Sequence, residues 1–230
     1  MRDYNGDKDV SVGYLVEFIT ACRPFTDYQC VNLGIQRKDG NIVQYWDEYI
    51  AKAKENGYKF LAWNVWDKCD VGSIGQQKAF FPIRHEWIFV FGTEYYEINK
   101  TQEKKTAGRS RKSVTKRRQK DGTTRYSTVG DTTSKLKQME SVLSVTSEKG
   151  DIRHKHPATF PVELPAEYIK AMTDTGAGVL EPFGGSGTTM IACEQLNRKC
   201  FMCELDEHYC DVIIDRWEQF TGEKAVLINE

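Results

Sequence analysis

The chain has 230 residues, of which 40% are hydrophobic and 28% are charged, and its formal net charge is −1. This composition is too apolar for an intrinsically disordered protein, and no apolar run approaches the ~18 residues that a membrane-spanning helix needs. No charged segment followed by an apolar one resembles a signal peptide, and a chain of this length can bury one sizeable core.

The small net charge conceals a basic segment. Residues 100–125 contain eleven Lys and Arg but only two acidic residues, Glu103 and Asp121, so the segment carries a net charge of +9. The rest of the chain therefore carries −10. This asymmetry indicates a polyanionic partner for the basic segment.

The first hundred residues alternate between helical and strand patterns. The spacing of apolar residues predicts helices over 10–22 and 42–55, and continuous apolar runs predict strands over 28–35, 58–66 and 86–91. We expect the last two strands to form an antiparallel pair joined by a long loop.

Residues 94–150 have a different character, because they are rich in Lys, Arg, Ser, Thr and Gln and poor in apolar residues. This composition is typical of a segment that is disordered in the absence of a partner.

Regular patterns return after residue 156. Helices are predicted over 162–172, 188–196 and 207–220, and strands over 178–183, 199–204 and 224–228. From its first strand onward this is a β-α-β-α-β arrangement, which implies parallel strands joined by helical crossovers.

Seven cysteines are present, and Cys200 and Cys203 form a C-x-x-C pattern. A zinc site would need further ligands, for which Cys193 or Cys210 with His208 are candidates. The pattern falls within a short apolar strand, where a free cysteine behaves as a small buried hydrophobe. We therefore expect no metal.

The sharpest local feature is a glycine-rich turn that leaves the strand 178–183 and enters the helix 188–196. Glycines at such a turn permit close approach of a ligand, and the free N–H groups at a helix start favour an anionic group. Glu204 ends the next strand, where a carboxylate can accept both hydroxyls of a ribose. This combination predicts a nucleoside-containing cofactor.

Two familiar phosphate-binding patterns do not describe this turn. The positions of Gly184, Gly185 and Gly187 differ from the dinucleotide pattern G-x-G-x-x-G. No Lys follows Gly187, so the G-x-x-x-x-G-K-[ST] loop is excluded as well.

Several segments of the chain resemble a known family. Residues 181–189 (EPFGGSGTT) closely resemble the D-P-F-x-G-S-G-T-T cofactor motif of bacterial and phage DNA amino-methyltransferases, which methylate adenine N6 or cytosine N4. Residues 156–161 (HPATFP) resemble the family's H-P-A-x-F-P element, and residues 85–91 (HEWIFVF) resemble its H-E-x-I-L-V-F strand. Residues 203–206 (CELD) and 216–222 (RWEQFTG) are similar to two further family segments.

The resemblance implies an α/β fold with a Rossmann-like sheet, circularly permuted, and S-adenosylmethionine as cofactor. In the family's β-class the catalytic half comes first, then the target-recognition region, then the cofactor half. The corresponding domains here are residues 1–99, the basic insert 100–155 and residues 156–230.

The family motifs also imply roles for individual residues. Phe183, Gly184, Gly185 and Gly187 would wrap the cofactor, and Ser186, Thr188 and Thr189 would meet its carboxylate. Glu204 would bind the ribose hydroxyls, and Thr159 and Phe160 would support the methionine part. Glu181, where the family more often has Asp, would face the cofactor ammonium. The motif positions Pro182, Leu205 and Asp206 complete the cofactor site.

The basic insert falls where the family's recognition region belongs, and its alternative interpretation is a solvated loop. The partner implied is double-stranded DNA with a flipped target base, in the cytoplasm of a bacterium or of a phage-infected host, with no membrane. The predicted DNA contacts are Lys104, Lys105, Arg109, Arg111, Lys112, Lys116, Arg117, Arg118, Lys120 and Arg125.

One family element has no counterpart. The catalytic motif [D/S/N]-P-P-[Y/F] requires adjacent prolines, and none of the six prolines of this chain are adjacent. The catalytic residue is therefore unknown, and we expect a missing catalytic loop and strand before the first helix. The open explanations are a truncated gene, a fragment, or a split enzyme with a complementing N-terminal chain; a homodimer is also open.

Two further functions compete with a DNA methyltransferase. The first is a non-catalytic DNA-binding protein or split-enzyme subunit descended from a methyltransferase. The second, an RNA or small-molecule methyltransferase, is disfavoured by the permuted order and the basic insert. Asn64, which lies between two tryptophans on a predicted strand, is a weaker candidate for contact with the base.

Overall fold

A computed structural model describes residues 12–35, 37–38, 41–69, 83–103, 113–129, 135–146 and 160–228. Its largest sheet has four strands in the order β1-β5-β4-β10. These strands are β1 (Tyr28–Leu33), β4 (Lys59–Asp67), β5 (His85–Gly92) and β10 (Val142–Ser144). β5 is antiparallel to both of its neighbours, so the predicted long-looped antiparallel pair is confirmed.

Two helices cover one face of this sheet, namely α1 (Val12–Cys22) and α2 (Trp46–Glu55). In α2 the buried residues are Trp46, Tyr49 and Ala53, at the spacing that places them on one helical face. They pack with Phe89 and Phe91 of β5 in the first core cluster. α2 begins later than predicted because Asn41–Ile42 form a short strand, β3, paired with β2 (Arg37–Lys38).

The opposite face of the sheet is covered by α3 (Glu163–Met172). Trp66, Ile88 and Leu143 from three strands pack there against Tyr168 of α3. The buried Asn64 belongs to the same face, and its amide donates to the Tyr168 hydroxyl at 3.1 Å. The structure therefore places Asn64 in the core, with its amide engaged by α3.

A second, parallel sheet lies in the C-terminal part of the chain. It pairs β11 (Gly178–Glu181) with β12 (Lys199–Met202), and α4 (Thr188–Gln195) connects the two strands. Val179 and Cys200 on one face of this sheet pack with α3 and α4 in the third core cluster. The first β-α-β unit of the predicted β-α-β-α-β arrangement is thus confirmed. Cys200 is half-buried and packs against this cluster, whereas Cys203 is exposed.

The helix α5 (Glu207–Thr221) follows β12, and the strand predicted over 224–228 is wrong. These residues are irregular, and Val226, Leu227 and Ile228 are each more than 80% exposed. The reason lies at the start of the run. Glu218 of α5 binds the Lys224 ammonium and accepts the Ala225 N–H at 2.9 Å, which holds the chain beside the helix.

The basic insert contains more regular structure than its composition predicted. β6 (Lys100–Glu103) pairs with β9 (Leu136–Gln138), and β7 (Ser113–Arg118) pairs with β8 (Thr124–Val129). β10 joins the main sheet beside β4, so the end of the insert belongs structurally to the N-terminal half. Residues 104–112, 130–134 and 147–159 lie outside the described part of the chain.

No helix within the described residues is both long enough and apolar enough to cross a membrane.

Candidate cofactor-binding site

The glycine-rich loop, residues 182–187, connects the end of β11 to the start of α4. Gly187 precedes the helix with a left-handed backbone at φ +79°, which costs a residue with a Cβ about 1–2 kcal/mol. Gly184 is required for a different reason. A Cβ on it would lie 2.8 Å from the Met202 sulfur and 3.1 Å from the Cys203 carbonyl oxygen. The loop is therefore folded directly against the end of β12.

Glu204, just after β12, holds the loop from that side. One of its carboxylate oxygens accepts the Gly185 N–H at 2.6 Å. The other accepts the N–H groups of Leu205 and Asp206 at 2.9 and 3.0 Å. A carboxylate offers about four acceptor positions, so the carboxylate retains acceptor capacity beyond these three bonds. The structure brings Glu204 to the glycine turn as predicted, and its contact with ribose hydroxyls stays a prediction.

Glu181 holds the loop from the other side, at the end of β11. Its carboxylate accepts the Phe183 N–H at 3.0 Å and the Thr189 hydroxyl at 2.8 Å. Burial raises the pKa of this carboxyl above its ordinary value, although the two hydrogen bonds act in the opposite direction. Through these bonds, Glu181 joins the loop to the first turn of α4. Its contact with a cofactor ammonium stays a prediction.

The hydroxyl-bearing residues at the start of α4 are buried. Ser186, Thr188 and Thr189 are each less than 7% exposed. The Ser186 and Thr188 hydroxyl oxygens lie 3.5 Å apart, and the Thr189 hydroxyl is bound to Glu181. These hydroxyls therefore stabilise the loop from within. The groups of this helix start best suited to an anion are its backbone N–H groups, which have no partner within the helix.

Arg216 of α5 contacts the loop, although it lies 30 residues after Ser186 in the sequence. Its guanidinium donates to the Ser186 carbonyl oxygen at 3.0 Å and to the Thr188 hydroxyl oxygen at 3.1 Å. No motif in the sequence predicted a role in the site for this residue. The available signal was its position on the helix, because Arg216 is spaced to lie on the same face as Ile213 and Phe220.

An aromatic contact places α1 beside the same loop. The rings of Phe18 and Phe183 are tilted against one another with their centroids 4.3 Å apart. Phe183 remains 46% exposed, so part of its ring is open to a ligand. Phe18 is a second residue that the sequence analysis missed.

The groups around this loop fit a cofactor that joins a nucleoside to an amino acid. The start of α4 suits a carboxylate, and the carboxylates of Glu181 and Glu204 suit an ammonium group and a ribose hydroxyl. The exposed ring of Phe183 offers an apolar surface. Each of these groups is held by hydrogen bonds or packing to a strand or helix, so the site is organised by the fold itself.

A family model described as DNA methylase, covering N6 and N4 methyltransferases, matches residues 12–215. The chain belongs to the DNA methylase family. S-adenosylmethionine is the cofactor of that family, so the cofactor prediction is confirmed.

Curated relatives of the chain include type II methyltransferases. M.Cfr9I of Citrobacter freundii is 44% identical over 74 residues, which is 32% of this chain and 24% of that protein. M.MthZI of Methanothermobacter thermautotrophicus is 26% identical over 211 residues, which is 87% of this chain and 55% of that protein. The chain thus spans about half the length of M.MthZI, and its match to M.Cfr9I covers about a quarter of that relative.

Solved structures show the same fold. The PvuII DNA methyltransferase, described as cytosine-N4-specific, is similar with a TM-score of 0.65 and 16% identity over 92% of this chain and 74% of that one. The M1.HpyAVI–SAM complex is similar with a TM-score of 0.61 and 18% identity, covering 89% of this chain and 82% of that one. The predicted α/β methyltransferase fold is therefore confirmed.

The remaining predicted cofactor residues of the chain are distributed unevenly. Thr159 lies outside the described residues, and Phe160 packs against the core cluster of Trp66 and Tyr168. Leu205 is 94% exposed beside Glu204. Asp206 caps α5, since its carboxylate accepts the His208 N–H at 2.9 Å.

The predicted DNA contacts fall into two groups. Those outside the described residues are Lys104, Lys105, Arg109, Arg111 and Lys112. Those that the structure describes are all exposed, on the β7–β8 hairpin or its turn: Lys116, Arg117, Arg118, Lys120 and Arg125.

Proposed function

We propose that this chain provides the cofactor-binding and DNA-binding parts of an amino-methyltransferase. Its substrate is double-stranded DNA, and the methyl group passes from S-adenosylmethionine to adenine N6 or cytosine N4. The observation that supports this most strongly is the loop held between Glu181 and Glu204, within a chain that belongs to the DNA methylase family along most of its length.

The chain's own residues would act by binding and orientation. Glu204 would accept a ribose hydroxyl through its remaining acceptor position, and the start of α4 would bind the carboxylate of the methionine part. Glu181 would face the ammonium group. Arg216 would keep the loop in the conformation that presents these groups. The bound cofactor supplies a methyl group on a positively charged sulfur, and its transfer breaks the carbon–sulfur bond, forms a carbon–nitrogen bond and releases one proton from the amino group.

DNA binding is proposed for the exposed cations of the β7–β8 hairpin and for the basic residues that precede it. Lys and Arg side chains neutralise backbone phosphates, and this term supplies most non-specific affinity for DNA. The target base would be flipped out of the duplex, because its amino group is otherwise inaccessible to a methyl donor held in a pocket.

The group that grips the target amino nitrogen in this family belongs to the [D/S/N]-P-P-[Y/F] motif. The six prolines here are at 24, 82, 157, 161, 165 and 182, so no such motif exists among these 230 residues. We therefore assign the gripping role to none of them, and we expect this chain alone to bind cofactor and DNA without transferring methyl groups.

The test is to incubate the purified chain with duplex DNA and S-adenosylmethionine carrying a labelled methyl group. We expect a complex with the duplex in a gel shift and no N6-methyladenine or N4-methylcytosine in the digested DNA. Absence of the complex would contradict the proposed substrate. Efficient labelling of either base would show that a residue of this chain performs the gripping role.

A further inference from the structure

The β7–β8 hairpin forms a two-stranded sheet of its own. Among the described residues its two strands pair only with each other, and every residue from Lys116 to Tyr126 is exposed. An isolated two-stranded hairpin is marginally stable in water. Its conformation therefore depends on its turn and on cross-strand pairs, and both are visible in the structure.

The turn of the hairpin is closed by a compact set of hydrogen bonds. The Gln119 N–H donates to the Thr123 carbonyl at 2.7 Å, and Gly122 adopts a left-handed φ of +82°. Asp121 accepts the N–H and the hydroxyl of Thr123 at 2.9 and 2.6 Å. The bond from the Thr123 hydroxyl lowers the pKa of Asp121, which is the single acidic residue of the segment 113–129. This carboxylate shapes the turn and does not neutralise the strands.

The register of the hairpin places two arginines directly opposite each other. Arg117 of β7 pairs with Arg125 of β8, while Lys116 pairs with Tyr126 and Arg118 with Thr124. Residues directly opposite on an antiparallel ladder have Cβ atoms about 5 Å apart, and like charges in that arrangement destabilise the pair. An anion bound between the two guanidinium groups would convert this repulsion into attraction.

The two faces of the hairpin differ in character. Because side chains alternate along a strand, the arginine pair occupies one face and the pairs on either side of it occupy the other. On that second face the Lys116 ammonium lies 6.0 Å from the centroid of the Tyr126 ring, which is 64% exposed. The arginine pair is therefore purely cationic, whereas the two pairs beside it mix cations, an aromatic ring and a hydroxyl.

We propose that Arg117 and Arg125 together bind one phosphate of the duplex DNA backbone, and that this phosphate clamp seats the hairpin as a two-stranded ribbon at the major groove. The groove, about 12 Å wide, admits such a ribbon. Contacts to phosphate fix the register of a protein on the duplex and carry no sequence information directly. This inference rests on the proposed function, because it takes double-stranded DNA as the partner.

The first experiment measures duplex affinity as a function of salt for Arg117→Gln, Arg125→Gln and the double variant. Each single variant is expected to weaken binding about tenfold on every duplex sequence, and to reduce the slope of log affinity against log salt by about 1. Because both side chains bind the same phosphate, the double variant should lose much less than the product of the two single effects. Lys120→Gln removes an exposed charge at the turn without a cross-strand arginine, and should combine multiplicatively with either variant.

The second experiment separates binding from folding of the hairpin. Arg117→Glu places opposite charges across the ladder, so the amide hydrogens of 113–129 should exchange as slowly as in the unchanged chain or more slowly. The same variant should bind duplex DNA at least tenfold more weakly. If the amide hydrogens of 113–129 exchange faster in this variant, Arg117 and Arg125 do not repel each other across the hairpin, and the clamp is overturned.

The failures of the two proposals look different. If the unchanged chain does not bind duplex DNA, the proposed function itself fails. If the unchanged chain binds duplex DNA but the double variant has the same affinity and the same salt slope, only the clamp is overturned. The clamp is also overturned if the losses of affinity in Arg117→Gln and Arg125→Gln multiply fully in the double variant. Tighter binding to single-stranded RNA than to the duplex would overturn the choice of partner.

Discussion

The cofactor loop and the basic hairpin are both built around glycines and short polar side chains, but they are held in opposite ways. Around the loop, the carboxylates of Glu181 and Glu204 and the guanidinium of Arg216 all bond to groups of the loop or of the helix start. On the hairpin, five cations are exposed and two of them face each other across the ladder.

The difference indicates how each region meets its ligand. A loop whose polar groups already bind one another is organised before the cofactor arrives, so less ordering free energy is lost on binding. A hairpin with exposed cations would be stabilised by the proposed DNA partner, and its affinity for DNA should therefore depend steeply on salt. Variants of the loop should change cofactor affinity with little dependence on salt, whereas variants of the hairpin should change DNA affinity and its salt dependence together.

The largest effect is expected for Gly184→Ala. The new methyl group would meet the Met202 sulfur and the Cys203 carbonyl at or near 3 Å, so the loop must move away from β12. We expect cofactor affinity to fall about a hundredfold and the free energy of unfolding to fall by about 1–3 kcal/mol, as in other overpacked sites. Calorimetric titration and urea denaturation measure the two quantities.

Gly34→Ala is the matched control for that variant, because nothing lies within 4 Å of a Cβ at Gly34. It should leave both cofactor affinity and stability close to those of the unchanged chain. Equal behaviour of the two variants would show that the loop is not held against β12 as described.

A smaller effect is expected for Arg216→Ala, which removes the donors to Ser186 and Thr188. Cofactor affinity should fall about tenfold, since hydrogen bonds from a charged group contribute about 1.5–3 kcal/mol. Arg198→Ala removes a similarly half-buried guanidinium that donates to the Thr173 carbonyl at 2.8 Å, away from the loop. It should lower the Tm without changing the affinity.

Arg216→Lys supplies a further comparison. A lysine keeps the positive charge and can donate hydrogen bonds, but it lacks the planar fork of the guanidinium. Its cofactor affinity should therefore lie between those of Arg216→Ala and the unchanged chain. If Arg216→Ala and Arg198→Ala lower the Tm alike and neither changes cofactor affinity, Arg216 only stabilises the fold. The loop would then not depend on Arg216 for its cofactor-binding conformation.

The smallest effect is the pH dependence contributed by Glu181. Its pKa is raised in the folded protein, so its stabilising contribution is fully present below the pKa of the unfolded chain and is lost as pH rises through the folded value. The stability of the unchanged chain should therefore fall, relative to that of Glu181→Gln, as pH rises from the ordinary carboxyl range. Urea denaturation of both proteins at a series of pH values rising from the ordinary carboxyl pKa gives the difference. A difference that grows in the other direction would contradict the burial of this carboxyl.

The local pattern of the sequence predicted most elements within a few residues, because apolar spacing determines which segments can cover a sheet. The strand predicted over 224–228 failed for a non-local reason: strand formation needs a partner, and Glu218 instead holds Lys224 and Ala225 beside α5. The prediction of a largely disordered insert erred in the opposite direction. The described strands of the insert pair through backbone hydrogen bonds, which amino-acid composition does not reveal.

The site divides in the same way. The glycine loop and Glu204 were predictable because both lie at fixed offsets along one β-α-β unit. Phe18 and Arg216 could not be predicted, because they belong to helices outside this β-α-β unit. Their contacts with the loop depend on how those helices pack. The carboxylate of Glu181 was predicted to face the cofactor. In the structure this carboxylate also accepts the Thr189 hydroxyl, which ties the loop to the first turn of α4.

The central claim is that the loop and Glu204 form a site for S-adenosylmethionine, and calorimetric titration of the cofactor into the unchanged chain tests it most directly. We predict saturable binding of one molecule per chain, weakened at least tenfold in Glu204→Gln and unchanged in Glu207→Gln, whose carboxylate is exposed at the first turn of α5. No saturable binding to the folded chain, or equal affinities for the two variants, would contradict the account.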